Sequence, residues 1–205
     1  MVQKLDEYLK ESPSQTAGPY VHIGCTPKFT GIDIYGEDLG ASMKTGPVKG
    51  QEIMIKGTVF DGTGTPLRDA MIEIWQPDGE GLFNSANETR GQADPNFTGW
   101  GRSPGDMNTG EFTFDTVKPG TVPFPDGRMQ APHVTFWVVA RGINIGLHTR
   151  MYFEDEADAN AADPILTRIE HQNRVPTLLA KKEADGVYRF DIRLQGEGET
   201  IFFDI

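Results

Sequence analysis

The sequence predicts an all-β fold, an antiparallel β-sandwich with an N-terminal arm and a few short helices. Its 205 residues suit one domain with a single large core. Short segments alternate apolar and polar side chains, as strands with one covered face do, and Gly- and Pro-rich corners separate them. We expect one domain over residues 1–205, with an N-terminal helix and arm at 1–50 and the sandwich core at 51–205.

The first elements along the chain are an arm and two strands. Residues 5–9 suit a short amphipathic helix, and residues 11–20 are rich in Ser, Pro and Gly, which resist regular structure. Strands are predicted at 53–59 and 70–76, because β-branched and other apolar side chains alternate there. The glycines of residues 61–66 supply the positive φ that a hairpin or tight corner after the first strand needs.

The middle of the chain predicts a long loop and then a hairpin. Residues 82–108 contain Asn, Gly, Pro and Asp throughout, and an irregular connection of that length usually belongs to a site or an interface. Phe112 and Phe114 alternate with polar residues and predict a strand. The apolar run 134–140 and the alternating run 147–153 predict a β-hairpin.

The C-terminal quarter predicts two short helices and two strands. A helix is expected over 163–169, where an Asp-Pro pair can cap and start it, and a second over 176–182. Strict alternation over 188–194 predicts a strand, and residues 201–203 predict a last one.

Charge and cysteine content exclude several functional classes. The formal net charge of −11 without a Lys/Arg cluster argues against nucleic-acid binding, because phosphate contacts need cations. One cysteine, Cys25, allows no internal disulfide, and no apolar run is long enough to cross a bilayer. We expect a soluble, cytoplasmic protein. Its acidic surface repels small carboxylates, so an anionic substrate needs a local arginine.

One predicted strand carries half of a metal-binding pattern. Residues i and i+2 of a strand point the same way, so a His-x-His pair can grip a metal. Here His133 is followed by Thr135, and a neutral hydroxyl is a poor ligand for a transition metal. We favour the interpretation that His133 is a core or rim histidine satisfied by a hydrogen bond.

Five stretches carry a resemblance to a known family. They are 14–24 (SQTAGPYVHIG), 57–76 (GTVFDGTGTPLRDAMIEIWQ), 117–120 (VKPG), 140–145 (ARGINI) and 188–192 (YRFDI). Through them the sequence resembles the intradiol ring-cleavage dioxygenases over nearly its whole length, and in particular the non-catalytic α chain of two-chain members. The resemblance implies the β-sandwich fold of that family.

The resemblance also implies where iron ligands would stand. Catalytic chains of the family bind non-haem Fe(III) through two tyrosines and two histidines. The corresponding positions here are Phe83, Val122, His133 and Thr135. A lone imidazole cannot hold Fe(III) securely, so the resemblance implies that this chain binds no metal at these vestigial positions and contains no catalytic residue, and that a partner β chain holds the iron.

The implied assembly is an α/β hetero-oligomer of several units. It would convert protocatechuate (3,4-dihydroxybenzoate) and O2 to 3-carboxy-cis,cis-muconate, a step of aromatic catabolism in the β-ketoadipate pathway. This chain would shape the substrate pocket of its β partner.

Two groups are candidate substrate-binding residues. Arg141 lies at the mouth of the predicted hairpin, and a guanidinium fork suits a planar carboxylate. The resemblance implies that an arginine of this segment lies near the substrate; the alternative is a solvated rim arginine. The second group is in the arm, which the resemblance places near the partner's pocket or in a purely structural interface: Thr16, Gly18, Pro19 and Tyr20.

A further hypothesis concerns Arg150. If strands 133–140 and 147–153 pair as a hairpin, its guanidinium can reach the vestigial positions and replace the missing cation.

Two other functions compete with the dioxygenase subunit. One is a stand-alone, non-catalytic β-sandwich module that binds a small aromatic ligand. The other, a catalytic homo-oligomer with different ligands, is the weakest, because neither tyrosine position holds a tyrosine.

Overall fold

The computed structural model describes residues 15–204, so the predicted helix at 5–9 lies outside the described residues. It contains eleven strands: β1 (Glu52–Phe60), β2 (Met71–Trp75), β3 (Trp100–Pro104), β4 (Glu111–Val117), β5 (Val122–Pro123), β6 (Met129–Gln130), β7 (His133–Val139), β8 (Leu147–Phe153), β9 (Leu179–Ala184), β10 (Val187–Arg189) and β11 (Ile192–Arg193). Helices α1 (Pro19–Cys25) and α2 (Ala157–Ala162) and two 3₁₀ segments, Leu166–Arg168 and Gln172–Leu178, complete it. No helix among residues 15–204 has the length and apolar character needed to span a membrane.

Nine strands form one nearly closed sheet that folds into two layers. One layer runs β3-β2-β7-β8 and the other contains β4, β1, β10 and β11. Strand β9 links them, because its first residues pair with β8 and its later ones with β10. The predicted all-β sandwich class is confirmed, although the sheet is mixed: β1/β10, β1/β11 and β8/β9 are parallel. Alternation reveals the covered face of a strand but not its direction relative to a partner.

The core lies between the layers and is rich in aromatic rings. Phe112, Phe114 and Phe190 each meet Phe136 at centroid distances of 5.2 to 6.4 Å, in tilted or edge-on geometry. All four rings are at most 4% exposed. Phe136 alternates along β7 with residues that face away from this core, so the opposite face of β7 is free to build a site.

Five of the predicted strands are present in the structure. The predicted strands at 53–59, 70–76, 112–114, 134–140 and 147–153 correspond to β1, β2, β4, β7 and β8. The predicted hairpin of β7 and β8 is confirmed by six residue pairs. The corner after β1 also forms as predicted: the Asp61 carboxylate accepts hydrogen bonds from the Thr63 and Thr65 amides, and Gly64 has φ +80°.

Two predictions, the irregular loop over 82–108 and the single strand over 188–194, are wrong, and in both regions a glycine lies in close contact with a neighbouring segment. Residues 82–108 are not wholly irregular, because β3 lies within them; a Cβ on Gly101 would come 2.8 Å from the Met43 sulfur, so this strand needs a residue without the usual β signal. The predicted strand 188–194 is interrupted at Phe190 into β10 and β11. The Phe190 carbonyl packs against Gly57 of β1, and the Thr58 amide donates a hydrogen bond to the Asp191 carboxylate.

The helices and the C-terminal end also differ from prediction. The predicted helix at 176–182 is a 3₁₀ segment up to Leu178 followed by β9, and residues 201–203 make only one bridge, from Phe203 to His148. The helix predicted over 163–169 is reduced to a 3₁₀ turn at Leu166–Arg168 whose N-cap is Ile165 and not Asp163. The Asp163 carboxylate accepts hydrogen bonds from the Ile165 and Leu166 amides just before and at its start. Both α1 and α2 were missed, since each is shorter than two turns and has no apolar periodicity.

Candidate functional site

A row of three side chains crosses the outer face of β2, β7 and β8. Trp75 is paired with Thr135, and Thr135 with Arg150, so their side chains leave the sheet in the same direction. The next row on the same face contains His133 and Tyr152, whose ring centroids lie 5.6 Å apart. The sheet therefore brings residues from three strands into one surface.

A loop and a short β-hairpin close over this surface and form a cavity of about 420 Å³. The loop after β2 brings Phe83 to its wall, and the β5/β6 hairpin brings Val122. His133 and Thr135 line the same cavity. All four vestigial positions thus meet in one place, although they are up to 52 residues apart in sequence.

The donor set of this cavity does not suit a transition metal. Phe83 and Val122 have no donor atom, Thr135 offers a neutral hydroxyl, and His133 offers one imidazole. Within residues 15–204, no three His, Cys, Asp or Glu side chains are grouped so that they could hold a metal ion.

His133 is buried and neutral. Its Nδ1 lies 2.8 Å from the Ala131 carbonyl oxygen, which can only accept, so Nδ1 carries the proton. Burial lowers the pKa of His133 to about 4, and the positive charge of Arg150 acts in the same direction. Nε2 then carries a lone pair, and it has no hydrogen-bond partner among residues 15–204. The histidine is held as predicted, by a hydrogen bond.

Arg150 reaches the vestigial positions. Its guanidinium lines the cavity and donates from Nη1 to the Gln130 side-chain oxygen at 2.8 Å. No carboxylate of residues 15–204 lies within 4.0 Å of it. Asp163 acts electrostatically on His133. Its carboxylate accepts hydrogen bonds from the amides of Ala131, Ile165 and Leu166 and from the Tyr152 hydroxyl.

A second arginine at the cavity, Arg90, forms an ion pair with the nearby Glu88. Arg90 donates from Nε and Nη2 to Glu88, and its hydrogen bonds lower the pKa of Glu88 to about 2. Glu88 also accepts from the Phe83 amide, which fixes the wall of the cavity. This ion pair was not predicted from the sequence. The signal that could have indicated it is the spacing of two opposite charges, Glu88 and Arg90, two residues apart in the long loop 82–108.

Arg141 lies elsewhere, on the loop that joins β7 to β8. Its side chain is 75% exposed, and its Nε lies 3.2 Å from an Asp69 carboxylate oxygen. Eight residues of extended chain separate it from His133, which corresponds to about 25 Å. Arg141 therefore cannot serve the cavity of its own chain and points outward.

The arm and this loop are joined, although more than a hundred residues separate them. The Thr16 hydroxyl donates to the Ala140 carbonyl at 3.3 Å and accepts from the Gly142 amide at 2.9 Å. The Ile145 amide donates to the Gln15 carbonyl at 2.9 Å. Ile145 has φ +65°, an unfavourable value for a β-branched residue, which the arm helps to hold. The structure thus unites two of the predicted candidates, Thr16 and Arg141.

The other arm candidates begin helix α1. Gly18 is its N-cap, Pro19 its first residue, and Tyr20 is 85% exposed. The His22 ring anchors the helix to the domain through the Asp69 carbonyl at 3.0 Å. The candidates Gly18, Pro19 and Tyr20 therefore stand on the surface beside the loop of Arg141 and away from the cavity.

Comparison with known proteins identifies the family. A family model described as "Dioxygenase" matches residues 26–196. The chain is 46% identical over 201 residues to the protocatechuate 3,4-dioxygenase alpha chain of Pseudomonas putida, covering 97% of this chain and 98% of that one. The chain belongs to the intradiol dioxygenase family.

A second chain and a solved dioxygenase domain are also similar to this chain. The protocatechuate 3,4-dioxygenase beta chain of Burkholderia cepacia is 30% identical over 186 residues, covering 82% of this chain and 78% of that one. The solved dioxygenase domain of a dioxygenase carbohydrate-binding protein fusion from Streptomyces sp. SirexAA-E superposes with a TM-score of 0.56 at 23% identity. It covers 78% of this chain and 88% of that one.

Intradiol dioxygenases are Fe(III)-dependent, and the cavity of this family member does not fit that ion. Fe(III) is a hard cation that needs several anionic or imidazole donors, whereas one neutral imidazole is present. The guanidinium of Arg150 beside it would repel a cation further. The chemistry of the site therefore favours a small organic or anionic occupant over a metal.

Proposed function

We propose that this chain is the α chain of a protocatechuate 3,4-dioxygenase, paired in several copies with a β chain. The assembly cleaves protocatechuate with O2 to 3-carboxy-cis,cis-muconate. The iron and the reacting atoms belong to the β partner, and this chain helps to form the pocket around the substrate.

Similarity over the full length is the observation that carries this proposal. The chain covers 98% of the P. putida α chain at 46% identity, against 78% of a β chain at 30%. The side chains at the four ligand positions agree with a non-catalytic role, since three of them lack a suitable donor.

Arg141 is proposed to receive the substrate carboxylate. It is exposed at a loop that the arm braces through Thr16, so its backbone is fixed while its side chain is free to meet a neighbouring chain. On a chain with a net charge of −11, a guanidinium fork is the local cation that a planar carboxylate needs. Asp69 holds the side chain at 3.2 Å until substrate competes for it.

The kinetic test replaces Arg141 with Ala in the assembled enzyme. Loss of a charge-assisted hydrogen bond costs about 1.5–3 kcal/mol, so the KM for protocatechuate should rise by roughly 10- to 100-fold. The KM for catechol, which lacks the carboxylate, should change little. Arg128→Ala, at an exposed turn arginine, is the matched control for lost charge. Equal increases in KM for both substrates would refute the role.

The arm is proposed to act mainly by positioning. Thr16 touches the Arg141 loop through two hydrogen bonds, whereas Gly18, Pro19 and Tyr20 present backbone and an exposed phenol that could approach the partner. The competing function, a stand-alone module for a small aromatic ligand, predicts a monomer that does not bind the β chain. Size-exclusion chromatography of the co-expressed chains separates the two.

A further inference from the structure

Asp69 lies in the corner between β1 and β2 and contacts two segments that the proposed function uses. Its backbone carbonyl oxygen lies 3.0 Å from Nε2 of the buried His22 in helix α1. Its carboxylate oxygen Oδ2 lies 3.2 Å from Nε of Arg141 in the loop between β7 and β8. One residue thus joins the arm helix to the loop that carries the candidate substrate arginine.

The Asp69 carboxylate does not hold the corner itself. Its Oδ1 is buried and has no hydrogen-bond partner among residues 15–204, and the one cation of those residues that pairs with Oδ2 is Arg141. Asp61, at the start of the same corner, differs because its carboxylate accepts hydrogen bonds from the Thr63 and Thr65 amides. A buried oxygen without a donor is unfavourable for folding, so stability does not explain the Asp69 carboxylate.

The backbones on both sides of this ion pair are fixed. The Thr16 hydroxyl makes hydrogen bonds to the backbone of the residues just before and just after Arg141. The corner that carries Asp69 is held by His22. The Arg141 side chain itself is 75% exposed, so its contact with Asp69 is what restricts the guanidinium within the described part of the chain.

We propose that Asp69 is a positioning residue for Arg141, an inference that rests on the proposed role of Arg141 in binding the substrate carboxylate. Nε makes the nearest approach to Asp69, and neither Nη atom makes a hydrogen bond to residues 15–204. A guanidinium binds a planar carboxylate through two parallel N–H groups, which the Nη1–Nη2 end can provide. Asp69 therefore orients the guanidinium and leaves this end free for the substrate.

Two other roles for the ion pair fit less well. A purely stabilising role is weak, because exposed ion pairs contribute little to folding. A purely electrostatic role has the opposite sign, since a carboxylate beside Arg141 lowers the local positive potential that attracts an anion. Removal of that charge alone should improve binding of an anionic substrate, whereas loss of a positioning contact should weaken it.

Asp69→Asn in the assembled enzyme is the kinetic test. The amide keeps the shape of the side chain but removes the charge that holds Arg141. Ordering a long, freed side chain again on binding should raise the KM for protocatechuate by roughly 3- to 10-fold. The value of kcat and the KM for catechol should each change by less than about twofold, because catechol lacks the carboxylate and the reacting atoms belong to the partner.

Asp126→Asn is the matched control. It removes a carboxylate of similar exposure that pairs with the exposed Arg128, and it should leave both KM values unchanged. An unchanged or lower KM for protocatechuate in Asp69→Asn would overturn the proposal.

The Arg141→Ala background separates this proposal from the proposed function. If Asp69 acts through Arg141, Asp69→Asn should not raise the KM further in that background, and an added rise would overturn the positioning role. A normal KM in Arg141→Ala alone would refute the proposed function. A raised KM in Arg141→Ala with a normal KM in Asp69→Asn would refute the positioning role only.

NMR relaxation of the arginine Nε–H groups in the full chain tests the orientation without any activity. The order parameter of Arg141 should lie above about 0.6 in the unaltered chain and below about 0.6 in Asp69→Asn. Arg68 is the internal reference and should be mobile, because it is exposed and has no carboxylate within 4.0 Å among residues 15–204. A mobile Arg141 in the unaltered chain would overturn the proposal, and this measurement needs no variant.

Discussion

The buried imidazole of His133 makes stability depend on pH. Its pKa is lowered from 6.5 to about 4, chiefly by burial, so the folded state resists protonation more than the unfolded state does. The stabilising contribution is complete above pH 6.5 and is lost as the pH falls from 6.5 towards 4. The full difference corresponds to stability on the order of 3 kcal/mol.

Replacement of His133 by Asn tests this dependence. The Asn side-chain NH2 can replace the donor to the Ala131 carbonyl, but it does not titrate. The free energy of unfolding in urea should therefore fall less between pH 7 and pH 4.5 in the variant than in the wild type. His171→Asn, at an exposed histidine, is the control and should keep the wild-type slope. Identical slopes in all three proteins would contradict this account.

Arg150 is expected to stabilise the fold at the cavity lined by Phe83, Val122, His133 and Thr135. Arg150→Met keeps much of the aliphatic stem but leaves the Gln130 oxygen without its donor, so unfolding should become easier by more than about 1 kcal/mol. Thermal and urea unfolding measure this. Arg128→Met, at an exposed arginine, should change stability by less than about 0.5 kcal/mol. A neutral Arg150→Met would refute the idea that the guanidinium replaces a cation.

At the scale of elements, the β7/β8 hairpin carries two separate groups of candidate site residues. Its first end presents His133, Thr135 and Arg150 to the cavity, and its far end presents the loop of Arg141. The apolar run over 134–140 and the alternation over 147–153 predicted this hairpin. Every second residue of β7 packs in the core. The same alternation directs the polar residues of β7 to the outer face.

The contact between β1 and the β10/β11 break is a second structural determinant. A Cβ on Gly57 would collide with the Phe190 carbonyl, and backbone in a sheet cannot move aside easily. Gly57→Ala should destabilise the fold by about 2 kcal/mol or more, measured by urea unfolding. Gly24→Ala in α1 is the matched control, because its Cβ would have open space and the helix gains propensity. Equal stability of both variants would show that the close approach is unimportant.

At the scale of the whole molecule, iron should follow the partner chain. Expressed alone, this chain should be colourless and iron-free, and with its β partner it should form a large red-brown complex that contains iron. Iron assay and size-exclusion chromatography measure both properties. His133→Asn should leave the iron content and colour of the complex unchanged, because the only imidazole lining the cavity among residues 15–204 is not expected to bind the metal. Loss of iron in this variant would contradict a non-catalytic role.

Residue types alone determined the family and the chemistry that this chain lacks. Whether a position offers a phenolate, an imidazole or a methyl group is a property of the side chain itself, so the amino-acid sequence is enough to recognise Phe83, Val122 and Thr135 as poor ligands. Alternation likewise predicted β1, β2, β4 and β8, since covered faces impose a period of two, and a nearly continuous apolar run predicted β7.

Only the tertiary structure decided which residues meet. Strand β3, the parallel pairings and the break at Phe190 depend on partners that lie far away in sequence, and short helices without periodicity left no signal. The same holds for the two sites. Trp75 joins Arg150 through two strand pairings, and Thr16 joins Ala140 across 124 residues. Such proximity results from closure of long loops around a shared core, which local sequence patterns do not encode.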